Sequence, residues 1–298
     1  NGFATVFEVL RTFNEVKQNE DSVDMLESGS RANIISAVYL NSKRMKTTSK
    51  SKGEKAKDVI KDGMVYINNI RQTKPSAMIS EDSEIIIKGE VCKYVSRGGY
   101  KLEKAVTEFN IELTGLKCID IGASTGGFTD CMLKNGADTV YAVDVGHDQL
   151  DETLLKDERV ISMEGVNFRY VTVDDFDCRP DFAGCDVSFI SLRHILPAAY
   201  NVLSDEGKMV CLIKPQFEAG REHLNKKGVV KDKKIHVKII RELLEFADEI
   251  GFNVLNLTYS PIKGPEGNTE YLLYLTKNNT VKGVFVNAAN TVSEAFSE

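Results

Sequence analysis

"CIDIGASTGGFTD" (residues 118–130) is the stretch that decides how the chain is read. A short apolar run carrying Asp120 leads into residues 122–127, which are three glycines and three small side chains. The pattern predicts a buried strand, a tight loop and a helix that starts near Gly127. A helix start presents free N–H groups and the positive end of its dipole. Missing side chains at that point mean that something approaches the backbone closely.

Two ligand classes use such a loop. Dinucleotides ask for G-x-G-x-x-G; here the order is G-x-x-x-G-G, so that fingerprint fails. The other class carries an adenosine and an amino-acid tail, as S-adenosylmethionine does. Its tail would lie over Gly122, Ser124, Thr125, Gly126 and Gly127, with the Asp120 carboxylate facing the amino group. The next apolar run, "YAVDV", places Asp144 22 residues after Gly122, where an acid suits ribose hydroxyls. The third, "VISMEG", runs into Asn167, placed to meet an adenine edge. His147, just past Asp144, is expected near the ribose or in a solvated loop.

Strand-like and helix-like segments alternate from 94 to 278. Strands are expected at "KCIDIGA", "TVYAVDV", "VISMEG", "CDVSFIS", "KMVCLIKP", "FNVLNLTYS" and "TEYLLYLTK", and the clearest helix is "KIIRELLEFADEIGF". This implies an α/β domain with a mainly parallel sheet covered on both faces, binding ligands at the strands' carboxyl ends. Residues 279–298 read as a tail with a short helix. Residues 51–93 read as a small α+β unit: a helix over "EKAKDVIKDG", strands "MVYIN" and "NIRQT" meeting at an Asn68–Asn69 turn, and a strand in "SEIIIKG". Residues 1–50 are an unassigned segment ending in a basic linker; "ATVFEVLRTFNEV" fits an amphipathic helix, and "NIISAVYL" fits a helix or a strand.

Composition sets bounds. The chain has 298 residues, 42% hydrophobic and 28% charged, with no apolar run near the roughly 18 residues a membrane span needs. The first 30 residues carry six acids and two bases, unlike a secretory signal, so a cytoplasmic protein is expected. Six cysteines include no C-x-x-C pair; reduced, mostly buried thiols and no metal site are expected. The net charge is −6, yet residues 41–63 hold eight Lys/Arg against three acids. A local basic patch outweighs the total as a sign of a nucleic-acid partner. Lys52, Lys55, Lys57, Lys61, Arg71, Lys74 and Arg97 are the expected phosphate contacts, and "KKGVVKDKKIHVK" (226–238) is a second basic stretch.

Two charges, Asp186 and Lys214, are placed inside apolar strands, where an unpaired charge is costly. With Lys101 and Glu270 they are the candidates for chemistry. At this point the chain resembles the TlyA family of rRNA 2′-O-methyltransferases, whose catalytic domain is FtsJ-like. The resemblance rests on "YVSRGGYKLEKA", "CIDIGASTGGFTD", "AVDVGHDQL", "SFISL", "LIKPQFEAG", "GVVKD" and "GPEGNTEYLLYL", in order over 94–277. It implies a Rossmann-like S-adenosylmethionine-dependent sheet and a Lys-Asp-Lys-Glu tetrad mapping onto Lys101, Asp186, Lys214 and Glu270. Asp186 would also line the methyl pocket.

It further implies rRNA or ribosomal subunits as partner, cytidine as target, and an RNA-binding domain of the ribosomal-protein-S-four type at 51–93. The family's opening amphipathic helix has no match in "YLNSKRMKTTSKS" (39–51), and residues 1–40 match nothing in it. Lys214 is the expected base, with Lys101 and Glu270 positioning the hydroxyl. A 2′-hydroxyl target excludes DNA. A non-catalytic RNA-binding factor would show a broken tetrad. A cytolysin, as the family's haemolysin label suggests, would need a membrane-active segment.

Overall fold

The computed structural model describes residues 3–5, 60, 64–74, 76–80, 83–87 and 92–297. Two compact units divide the chain, 1–93 and 94–298. In the first, β1 (Phe3–Thr5) pairs with β4 (Met78–Ser80), and β2 (Val65–Ile67) lies between β3 (Ile70–Gln72) and β5 (Ile85–Ile87), all antiparallel. Asn68 and Asn69 both have positive φ (51° and 65°), the twist a two-residue hairpin needs. The Asn68 side chain also accepts from the Glu84 amide at 2.9 Å, tying the hairpin to β5. Ala4 and Thr5, the first two residues of the segment expected as a helix over 4–16, are thus in a strand, and the rest of that segment lies outside the described residues. Ile60 is helical and fully buried; the rest of the expected helix, the basic linker, and Lys52, Lys55, Lys57 and Lys61 lie outside the described residues.

The second unit follows from an alternation of buried runs. Its elements are α1 (Gly98–Glu108), β6 (Lys117–Ile121), α2 (Gly127–Lys134), β7 (Thr139–Asp144), α3 (Glu152–Leu155), β8 (Val160–Glu164), β9 (Phe182–Cys185), α4 (Leu196–Val202), β10 (Lys208–Ile213), α5 (Pro215–Glu218), α6 (Lys233–Ile250), β11 (Asn253–Tyr259), β12 (Tyr271–Thr276) and α7 (Ala288–Ala295). The strands form one sheet ordered β11-β12-β10-β9-β6-β7-β8, in which β12 runs antiparallel to both neighbours and the pairs from β10 to β8 are parallel. From β6 the chain winds outward through β7 and β8, then returns to lay β9 on the other side of β6. The carboxyl ends of β6 and β9 therefore flank the switch point, the place where such sheets bind ligands.

Three expectations are corrected. The fourth parallel strand is Phe182–Cys185, ahead of the expected "CDVSFIS". Its small residues have a packing reason: a Cβ on Gly184 would stand 2.6 Å from Met132 Cε and 2.8 Å from Phe128 Cδ2. Asp186 and Lys214 consequently follow the ends of β9 and β10 rather than interrupting them. Helix α6 begins five residues before the expected segment. Asp232 caps it by accepting from the Lys234 amide at 2.8 Å, and His236, Ile239, Ile240, Leu243 and Ala247 form its buried stripe. Finally, the expected tail packs into this unit: α7 lies on α6 and β11 with Ala288, Val292 and Ala295 buried.

Candidate active site

The glycines of the opening stretch are explained by the protein's own atoms. A Cβ on Gly122 (φ +82°) would stand 3.0 Å from the Asp186 carbonyl, because the chain leaving β9 crosses the end of β6. One on Gly126 (φ +94°) would overlap Leu154 Cδ1 at 2.2 Å. One on Gly127 would stand 2.3 Å from Ser96 Oγ and 2.8 Å from the Gly99 amide nitrogen, where α1 and α2 meet at their first turns. The glycines at 126 and 127 thus have a packing cause of their own: there a Cβ would meet Leu154 of α3, Leu150 ahead of it, and the start of α1. Ser124 is the exposed residue of the loop, held at φ +47°, and Thr125 is half-buried.

The expected cofactor acids are the braces of this loop. Asp120 is buried; its Oδ2 accepts from the Thr129 amide (2.8 Å) and hydroxyl (2.7 Å), pinning α2 to β6. Its Oδ1 is buried without a partner. Burial pushes this carboxyl up to about 7, against the pull of the Thr129 bonds. Asp144, half-exposed at the end of β7, accepts from the Ser124 amide (2.8 Å) and the Gly146 amide (2.7 Å), and each oxygen keeps a second lone pair. Asn167 uses its Oδ1 on the Arg169 amide and Nε, both at 3.2 Å, capping a short turn. His147 sits against Gly165, where a Cβ would stand 2.4 Å from its ring.

Four charges from distant parts of the chain converge beside the switch point. Lys101, buried in the first turn of α1, places its Nζ 3.1 Å from Asp186 Oδ2 and 2.9 Å from Glu270 Oε2. Lys214 pairs with the other oxygen of Asp186 and donates to Ser188 Oγ at 2.9 Å. Glu270, 1% exposed, also accepts from Gln216 Nε2 at 3.0 Å. Gly264 closes over it, since a Cβ there would stand 2.3 Å from Glu270 Oε1. Burial works against the charge of Lys101, but the Asp186 and Glu270 carboxylates prevail and raise its pKa. Burial likewise opposes the charge of Asp186, and the two ammonium groups prevail and lower its pKa.

Sequence reading missed Ser188, Gln216 and Glu218. Glu218 accepts from Ser191 Oγ (2.6 Å) and the Leu192 amide (2.8 Å), locking the loop after β9 to the turn after β10. These lie in "SFISL" and "KPQFE", segments that carried the resemblance without assigned roles. Phe189, beside Ser188, is 90% exposed at φ +64°, a backbone region a bulky residue rarely enters. Its ring lies 5.0 Å from that of Phe217, which is itself 5.8 Å from Lys214 Nζ. Of the expected phosphate contacts, Arg71, Lys74 and Arg97 are exposed, Arg97 at the start of α1.

Residues 94–277 match the model of the FtsJ-like methyltransferases. The chain belongs to this family. It falls in the TlyA group: a Bacillus subtilis protein named as a candidate rRNA methyltransferase, YqxC, is 50% identical over 74% of this chain and 79% of its own length. The Mycobacterium tuberculosis protein named 16S/23S rRNA (cytidine-2′-O)-methyltransferase TlyA is 37% identical over 74% and 83%. A solved structure from Streptococcus thermophilus, described as a candidate haemolysin, superposes with a TM-score of 0.71 at 45% identity, covering 88% of this chain and 95% of that one. The protein is therefore a methyltransferase, and the tetrad expected from the family's pattern is gathered into one ion-paired cluster.

Proposed function

We propose that this methyltransferase uses S-adenosylmethionine to methylate a ribose 2′-hydroxyl of rRNA, on cytidine, in the cytoplasm. The observation that carries the reading is the Lys101–Asp186–Lys214–Glu270 cluster beside the switch point. The residues there fit the cofactor. Asp120 offers a buried carboxylate oxygen without a partner, suited to an amino group, and Asp144 keeps free lone pairs for ribose hydroxyls. Ser124 and Thr125 line the open side of the loop. When bound, the cofactor supplies an electrophilic methyl group on a sulfonium.

The chain's own residues then have separable tasks. Lys101, bound by two carboxylates, remains a fixed cation that orients the ribose. Lys214 touches one carboxylate and the Ser188 hydroxyl, and once it has released its own proton to solvent it is our candidate to take the 2′-hydroxyl proton. Asp186 holds both amines and so fixes the spacing between them. Glu270, itself held by Gln216, positions Lys101. Exposed Phe189, backed by half-buried Phe217, is a ledge on which a base can stack, which orders the nucleoside at low cost. Arg71, Lys74 and Arg97, with the lysines of 52–61, supply phosphate contacts, which position RNA without selecting a base.

The haemolysin label carried by some relatives asks for a membrane-active segment. Among the described residues no helix is long and apolar enough to cross a membrane. Helix α6, the most amphipathic, buries its apolar stripe in the unit's own core. The deciding experiment incubates the protein with each ribosomal subunit and labelled methyl donor and maps 2′-O-methyl marks. A mark on a cytidine supports the reading. Cofactor binding with no transfer to any RNA would replace it with a non-catalytic RNA-binding role.

A further inference from the structure

The stretch 226–241 carries seven Lys/Arg and a single acid, Asp232, in a chain whose net charge is −6. All seven cations (226, 227, 231, 233, 234, 238 and 241) are exposed. Their placement is fixed relative to the tetrad. His236, in the first turn of α6, meets Tyr271 Oη through Nδ1 at 2.8 Å and the Val230 carbonyl through Nε2 at 2.9 Å. Tyr271 directly follows Glu270. The Asn268 side-chain Nδ2 donates to the Gly228 carbonyl at 3.2 Å, joining the basic loop to the segment that delivers Glu270. The basic run therefore starts at the strand end that supplies the tetrad and continues down α6.

Along α6 the charges line a groove. It measures about 510 Å³, lies between α6 and α7, and is walled by Lys233, Lys234, Lys238 and Arg241 over a floor of Val237 and Val292. Lys234, Lys238 and Arg241 recur at helical spacing, so they share a face spanning roughly 10 Å. The one acid in the wall, Glu242, is already engaged by Lys238 at 3.7 Å and by Arg193 at 3.9 Å. Asp232 is committed to capping the helix.

We propose that this α6–α7 face is a phosphate track for the RNA strand that runs on from the target nucleotide. The proposal rests on the RNA reading above and adds where the strand goes. Charge and composition favour nucleic acid over an acidic protein. Protein interfaces are depleted in lysine and enriched in aromatic anchors. Here lysine dominates, and the groove walls present no aromatic ring. Exposed lysines neutralise phosphates without sequence preference, as a trailing strand requires.

The test is the triple variant Lys234→Gln, Lys238→Gln, Arg241→Gln, which leaves Lys233 on the Phe296 ring, 5.2 Å away. Binding of a fluorescent rRNA fragment is measured from 50 to 200 mM salt, with cofactor calorimetry as the check on folding. Losing three phosphate contacts should make the slope of log affinity against log salt shallower by about 2 for a single strand, with cofactor affinity unchanged. An unchanged slope, where the wild type binds RNA, overturns the track. If naked RNA binding is unchanged but binding to whole subunits is lost, the partner is an acidic protein and the proposal also falls. If the wild type binds no RNA at all, the 2′-O-methylation reading fails together with it.

Discussion

Replacing Gly127 by alanine separates two explanations of the glycine loop. The added Cβ would stand 2.8 Å from the Gly99 backbone nitrogen and 2.3 Å from Ser96 Oγ. The serine can rotate away, but the backbone cannot. To reach ordinary contact at 3.4 Å, the first turn of α1 must move by about 0.6 Å. That turn carries Lys101, whose bonds to Asp186 and Glu270 are 3.1 and 2.9 Å; a shift of that size along them would lengthen the pair to about 3.7 and 3.5 Å, past the usual N–H···O range. Overpacking of this kind costs about 1–3 kcal/mol of stability. A displacement of order 1 Å at a reacting centre costs about 10²-fold in rate. Single-turnover methyl transfer at saturating cofactor should therefore fall by about two orders of magnitude while cofactor affinity from calorimetry changes little. Ser96→Ala should not rescue it, since the Gly99 contact remains. If transfer is unimpaired and cofactor affinity collapses instead, Gly127 is there for the ligand and the packing argument is wrong.

Three further outcomes are expected. Lys214→Arg keeps the charge but cannot readily accept a proton, so transfer should drop by about 10²–10⁴-fold with cofactor binding intact; near-normal turnover would leave Lys214 a steering role only. Asp120, raised to about 7 by burial, holds its proton in the folded state where the unfolded chain has lost it. Stability of the ligand-free protein should then fall as pH rises from about 4 to 7, by at most about 1.4 kcal/mol per unit, and Asp120→Asn should flatten the dependence in thermal melts. If a cofactor amine docks on Asp120, binding at pH 6 releases protons, readable as buffer-dependent enthalpy in calorimetry; no release removes Asp120 from that role. His236 is disfavoured as a cation by burial and lies between Val230 and Tyr271. The unfolded chain binds the extra proton below about pH 6.5, so stability is lost as pH falls through that point. His236→Gln should weaken the acid-side slope in urea melts at pH 5 and 7.5; an equal slope would mean that another group sets it.

What was legible in the sequence follows the period of the buried face. Parallel strands covered on both sides read as apolar runs, so "MVCLI" and "VYAV" located β10 and β7. Helix α6 announced itself through Ile239, Ile240, Leu243 and Ala247. Strand β9 escaped because the sheet needs Gly184 where Phe128 and Met132 press down, and a glycine in a strand reads as a turn. The tetrad was illegible as a pattern for a different reason. Lys101 and Glu270 are 169 positions apart yet share a hydrogen bond, and each charge alone reads as a solvated side chain. They became candidates through the segments that surround them, which are constrained by the same geometry. Gly127 is required by the close approach of α1, Gly264 by the Glu270 carboxylate, and Glu218 by the loop that carries Asp186. The unusual small and acidic residues of those segments are thus the packing requirements of one ion-paired cluster. That is why a loop whose glycines meet protein atoms still marked the place where the chemistry lies.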